Sequence, residues 1–200
     1  MPAFLKALRE RPGTAARALE FALLTTCRTG DVLGLMWDEI NSTTAEWRVP
    51  GNRMKGDKNK VRDDHLVHLT ARALEIIEAQ REQEGVFVFP SPMDRKRPMS
   101  NMAMLNVLER MGLDGETTVH GVCRASFSTW ANDLGIARPD VIEACLAHVE
   151  TNKVRAAYNR ASFSVERRNL LVAWTAFCSG DNVSVAEPLQ ASAEVFKLAA

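Results

Sequence analysis

The sequence predicts an α+β fold, mainly α-helical with one small antiparallel sheet. Through most of the chain apolar residues recur at the spacing of a helix face, whereas two stretches, 46–50 and 65–70, alternate polar and apolar residues among β-formers. A polar, Gly- and Lys-containing connection separates those two stretches, as an antiparallel pair requires. The 200 residues, 46% hydrophobic and 25% charged, are enough for one domain with a real core.

Each element follows in order. Phe4, Leu5 and Leu8 share a helical face before Pro12-Gly13 ends the first segment. Thr14 is placed to cap a second helix, whose Ala15, Ala18, Leu19, Ala22 and Leu23 form a stripe that predicts burial. From Gly30-Asp31 the run VLGLMW predicts a further apolar helical stretch ending near Asp38. EWRVP and HLVHLT are the two strands. A helix containing Leu74 and Ile77 runs to about Gln83, VFVFP is a short strand or extended piece, and SPMDRKRP is loop. Met104, Val107, Leu108 and Met111 make the next apolar stripe, and segments 120–134, 139–147, 152–159 and 164–178 all fit helices. Pro139 suits a first helical position and Ser164 a cap. The mixed, Pro-containing text after Gly180 reads as a docked helix or a flexible end, so the chain divides into a domain at 1–178 and a tail at 179–200.

Composition narrows the function classes. Lys and Arg (25) balance Asp and Glu (25), and a formal charge of zero argues against a DNA-binding protein, because neutralisation of phosphates by Lys and Arg supplies most of the nonspecific affinity. The basic residues are clustered, however: Arg53, Lys55, Lys58, Lys60 and Arg62 stand against Asp57 alone, and Lys153, Arg155, Arg160, Arg167 and Arg168 form a second group. No apolar run approaches the 18 or so residues of a membrane helix, and the N-terminus carries no basic-then-apolar leader pattern, which predicts a cytoplasmic protein with no membrane partner. Cys27, Cys123, Cys145 and Cys178 lack CxxC spacing and predict buried, idle thiols. His65 and His68 fall on opposite faces of a strand, a poor arrangement for zinc.

Four landmarks remain: TCRTGDVLGLMW at 26–37, RMKG at 53–56, HGVCR at 120–124 and LAHVETNKVRAAYNR at 146–160. In order and spacing they resemble the tyrosine recombinases of the phage integrase family, in particular the prophage and genomic-island integrases, over nearly all of residues 1–178. The resemblance implies the catalytic-domain fold of that family and a site built from Arg28, Lys55, His120, Arg124, His148 and Tyr158. It implies the following division of labour. Arg28 and Arg124 bind the non-bridging oxygens of a DNA phosphate, His148 hydrogen-bonds the same phosphate, and Tyr158, the only tyrosine in the chain, is the nucleophile. His120 takes the phenol proton and Lys55, on a hairpin turn, protonates the departing 5′ oxygen.

Two departures stand out. Asp31 occupies a position where Glu is commoner, and three residues separate His120 from Arg124 where the family has two. On a helix both spacings keep the pair on one face, and a local bulge would do the same. The chemistry needs no cofactor, metal or ATP, because guanidinium and ammonium groups supply the positive charge and a phosphotyrosyl ester conserves the bond energy for rejoining. The implied partner is double-stranded DNA at attachment sites, with four protomers acting together in the full-length protein. The chain opens directly on the catalytic core, so the resemblance further implies a fragment that binds DNA weakly and is monomeric alone. A decayed integrase acting only as a DNA-binding module is the alternative, and a type IB topoisomerase a more distant one.

Overall fold

The computed structural model describes residues 1–54, 63–82, 85–148 and 162–181. Helices α1 (Pro2–Arg9) and α2 (Thr14–Thr25) open the fold, followed by a short α3 (Thr29–Leu33) and a 3-10 turn at Trp37–Glu39. Strands β1 (Ile40–Asn41), β2 (Glu46–Val49) and β3 (His65–His68) form one antiparallel sheet in the order β1-β2-β3, with Trp47 opposite Val67 and Glu46 opposite His68. Then come α4 (Ala71–Glu78) and α5 (Ala103–Arg110). A helix over 119–133 contains a π turn (Gly121–Ala125) and continues as α6 (Ser126–Asp133). The last elements are α7 (Pro139–Cys145) and α8 (Ser164–Ser179). The α+β architecture, mainly helical with a small antiparallel sheet, is the one the sequence predicts.

The core forms around α2, an Ala- and Leu-rich helix of high intrinsic propensity that packs against α1, α3, α4, α5, the π turn and α8. Leu19, Phe21, Ala22 and Leu23 on it are fully buried, and Phe21 meets Trp47 of β2 and Phe89. A second aromatic cluster, Phe127, Trp130, Trp174 and Phe177, joins α6 to α8, and the Trp174 Nε1–H donates to the carbonyl of Leu23. Each large apolar side chain buried in this way contributes about 1.5–3 kcal/mol. Glu20 is fully buried on α2 and accepts from Arg9, Arg17 and Arg72, tying α1, α2 and α4 together.

The structure corrects several boundaries. The helix predicted to reach Asp38 stops at Leu33, because the Leu35 carbonyl is taken by Val88 N–H and Met36 pairs with Phe87. That pairing also settles VFVFP as an extended piece. Strand β1 was not predicted; its two residues are too few to show alternation. Helix α4 ends at Glu78 rather than near Gln83, closing in a turn where Gln80 N–H bonds Ile77. Thr14 and Ser164 are first helical residues rather than caps, the cap positions being Gly13 and Phe163, both at positive φ. The predicted helix 152–159 and the tail lie outside the described residues, apart from the end of α8 and its Gly180 cap.

Candidate active site

Arg28, His120, Arg124 and His148 line one cavity of about 570 Å³, together with Cys27, Asp31, Arg53 and Val119. Lys55 and Tyr158 lie outside the described residues.

The cavity owes its shape to helix ends. Helix α2 terminates at Thr26, whose backbone is left-handed (φ 56°), an uncommon conformation for a β-branched residue. The chain then turns into α3 with Arg28 at its N-cap position. Helix α7 terminates in a Schellman arrangement: Ala147 is left-handed (φ 50°), Ala147 N–H bonds the Ala144 carbonyl, and His148 N–H bonds that of Glu143. These two turns expose carbonyls that no helix uses. Arg124 claims two of them, donating from Nη1 to Thr26 O at 2.5 Å and from Nη2 to Leu146 O at 2.7 Å. Arg28 Nη2 faces the Ala147 carbonyl at 3.4 Å. Both guanidiniums are therefore held by the C-terminal end of α7, where the helix dipole favours a cation.

His120 and Arg124 share the cavity because the turn between them is a π turn. Ser126 N–H reaches back five residues to the Gly121 carbonyl, so the extra residue is absorbed by the bulge. Thr118 caps this helix through its hydroxyl, which accepts the Gly121 N–H at 3.0 Å. Arg124 is 4% exposed, while the His120 ring is exposed.

His148 is gripped on both sides. Its Nδ1 lies 2.6 Å from Glu143 Oε2 and its Nε2 lies 3.0 Å from Arg124 Nη2.

Arg53 completes the wall. It makes a two-pronged ion pair with Glu39, at 2.8 and 2.7 Å, and bonds the Gly34 carbonyl. A methyl group at residue 34 would stand 3.1 Å from Arg53 Cδ, so Gly34 permits the approach. Glu39 also accepts Trp47 Nε1–H at 3.0 Å, anchoring Arg53 to the sheet just before the segment that contains Lys55.

The electrostatics favour an anion. Burial and the adjacent Arg28 cation push the Arg124 guanidinium below its ordinary value, and a guanidinium still remains charged. Burial raises the Asp31 carboxyl above the usual aspartate range, against the pull of Arg28, Arg53 and Arg124. Arg28 Nη1, Arg53 Nε and Arg124 Nε are all buried without a hydrogen-bond partner among the described residues. Buried donors in that state are costly unless a ligand meets them.

Sequence reasoning did not single out Glu143 or Glu39, which hold His148 and Arg53 in the site. Glu143 carried a weak signal, standing five residues before His148 near the end of the same helix. Outside the residues that line the cavity, burial, then the charges of Arg167, Arg28 and Arg124, push the His65 imidazole down to about 3, and it bonds the backbone of Cys145. All four thiols are buried, and burial raises Cys27 to about 12.

Comparison with known proteins identifies the class this fold and cavity define. The model of the phage integrase family matches residues 1–164, and the chain belongs to that family. Prophage integrase IntA of Escherichia coli (strain K12) is 40% identical over 154 residues, 76% of this chain and 36% of that protein. Prophage integrase IntZ of the same strain is 37% identical over 175 residues, 86% of this chain and 41% of that protein. The integrase of Enterobacteria phage P4 is 31% identical over 172 residues, covering 80% of this chain and 38% of that protein. The chain thus spans about two fifths of the length of the relatives it matches. Among solved structures, the Tn1549 transposon integrase in complex with circular intermediate DNA superposes with a TM-score of 0.56 at 15% identity, over 84% of this chain and 61% of that one. XerA recombinase gives 0.50 at 15% identity, over 76% and 60%. These likenesses show the fold, a tyrosine recombinase catalytic domain. Among the described residues no helix is long and apolar enough to cross a membrane.

Proposed function

We propose that residues 1–178 are the catalytic domain of a site-specific DNA strand transferase, with 179–200 a tail, and that it integrates or excises a mobile element. One observation carries this reading: three arginines, Arg28, Arg53 and Arg124, line one cavity beside its single lining carboxylate, Asp31, and each keeps a buried guanidinium nitrogen without a partner among the described residues. Kinship with prophage integrases supports it.

In the proposed reaction a backbone phosphate of double-stranded DNA enters between Arg28 and Arg124, with His148 at its edge. The Tyr158 phenol oxygen attacks phosphorus and its proton passes to His120. The bond from phosphorus to the 5′ oxygen breaks, and that oxygen takes a proton from Lys55. The product is a 3′-phosphotyrosyl ester and a free 5′ hydroxyl; attack by the 5′ hydroxyl of another strand reverses every step and rejoins the DNA. The two guanidiniums act on the charge that builds on the non-bridging oxygens, where a positioned donor is most effective. By extension from the lambda integrase tetramer bound to a Holliday junction, four protomers act on two duplexes.

The test is a pool of nicked duplexes with randomised cores, which lose a short strand on cleavage and trap the covalent product. The native chain should become covalently attached to DNA and the Tyr158→Phe variant should not. Equal DNA binding by both without any adduct would mean a DNA-binding module instead.

A further inference from the structure

We propose that Glu143 is a positioning residue that sets the tautomer of His148 and, through it, the orientation of Arg124. The inference rests on reading the cavity as a phosphate site. Glu143 lies on α7, outside the set of residues proposed to meet the DNA.

Three contacts form a chain. The Glu143 carboxylate only accepts hydrogen bonds, so the His148 nitrogen 2.6 Å from it, Nδ1, carries a proton. The Arg124 guanidinium only donates, so the His148 nitrogen 3.0 Å from Arg124 Nη2, Nε2, must offer a lone pair. One arrangement satisfies both neighbours: a neutral ring protonated at Nδ1, which leaves no ring N–H for a phosphate and makes His148 a brace for Arg124 rather than the phosphate donor that the resemblance implies. With the opposite tautomer an N–H would face a guanidinium N–H and a bare lone pair would face a carboxylate.

The backbone reinforces the pairing. Residue 143 holds residue 148 twice, through its carbonyl to the His148 N–H at 3.1 Å and through its carboxylate to the ring. The left-handed Ala147 between them makes this double grip possible.

The consequence falls on Arg124. Of its five N–H bonds, one Nη1–H goes to Thr26, and the two on Nη2 go to Leu146 and His148. That leaves the Nε–H, which is buried without a partner among the described residues, and one Nη1–H. Glu143 thus fixes which donors of Arg124 remain for a ligand. An exposed ion pair of this kind adds little to stability. Its effect is on orientation.

The first measurement is nitrogen NMR of the free 200-residue chain with labelled histidine. The native protein should show His148 protonated at Nδ1, and Glu143→Ala should give a mixture of tautomers. A native ring protonated at Nε2 would overturn the proposal. The second is the rate of covalent adduct formation. Glu143→Ala should slow it on the order of tenfold to a hundredfold with unchanged DNA affinity, as removal of a histidine-orienting partner does elsewhere, and Glu143→Asp should restore part of the rate. In a His148→Ala background, Glu143→Ala should cost nothing further. An undiminished rate in Glu143→Ala, or an equal loss in the His148→Ala background, would sink the inference. If the native chain formed no adduct on any duplex, the functional reading would fail while the NMR result still decided the tautomer.

Discussion

Arg124 donates to the carbonyl of Thr26, a residue 98 positions earlier, and Thr26 turns that carbonyl toward it by adopting a left-handed backbone. The end of one buried helix is thereby bent to hold a cation that donates its other hydrogen bonds to Leu146 and His148 at the end of α7. Residues in such conformations cost about 1–3 kcal/mol and persist where surrounding structure requires them.

Substituting either guanidinium with an ammonium should disable the proposed site without unfolding the domain. Arg124→Lys or Arg28→Lys loses the forked geometry that two phosphate oxygens need. The rate of adduct formation should fall a hundredfold or more, about 3 kcal/mol in the barrier. Single-turnover kinetics on trapped duplexes, with circular dichroism as a check on folding, measure both halves of this expectation.

Ala147→Gly should make the domain more stable. A left-handed alanine is strained by its Cβ, and glycine relieves that strain. Urea unfolding should show a gain of about 1 kcal/mol, and a loss would mean that the alanine methyl packs more usefully than its backbone is strained.

The three-arginine clasp on Glu20 should be among the costliest polar contacts to break. Burial raises the Glu20 pKa, but hydrogen bonds from Arg72 and Arg9 outweigh it and hold the carboxyl below its ordinary range. Glu20→Gln leaves three part-exposed guanidiniums sharing one buried neutral amide, whose NH2 cannot accept their hydrogen bonds, a loss of about 1–3 kcal/mol. A melting temperature near that of the unchanged protein would contradict the proposed weight of this cluster.

His65 gives a pH dependence of known sign. Its folded-state value of about 3 lies below that of an unfolded imidazole, near 6.5. Stability tied to the neutral ring is complete above about pH 6.5 and drains away as pH falls toward 3, because only the unfolded chain takes up the proton. The slope from this one group is at most about 1.4 kcal/mol per pH unit. Urea melts between pH 7 and 4.5 should show this slope reduced in His65→Asn.

Much of the fold was legible from periodicity alone. The alternation around Trp47 and Val49 marked β2, and the stripe of Met104, Val107 and Leu108 marked α5, because in both the repeat matches the buried face; β3 departs from it, since His68 is buried beside Val67. What escaped was set by tertiary pairing: α3 is cut short by the bonds that Leu35 and Met36 make to 87–88. The site was legible in part. Arg28, His120, Arg124 and His148 were chosen as residue types in a recognisable order, and they line one cavity. Its frame was not legible, since Thr26, Leu146 and Ala147 contribute carbonyls, which every residue has, and Thr26 and Ala147 take positive φ angles, which their side chains disfavour. The π turn was legible only as a question, posed by one residue too many between His120 and Arg124.

The central claim is that Arg28 and Arg124 together neutralise one DNA phosphate, and removing the charge from that phosphate tests it most directly. Adduct formation by the native chain, Arg28→Ala and Arg124→Ala would be compared on a duplex with an ordinary scissile phosphodiester and on one with an uncharged methylphosphonate there. The account predicts that the arginine variants are crippled on the charged linkage and recover most of the difference on the neutral one. The same penalty on both linkages would contradict it.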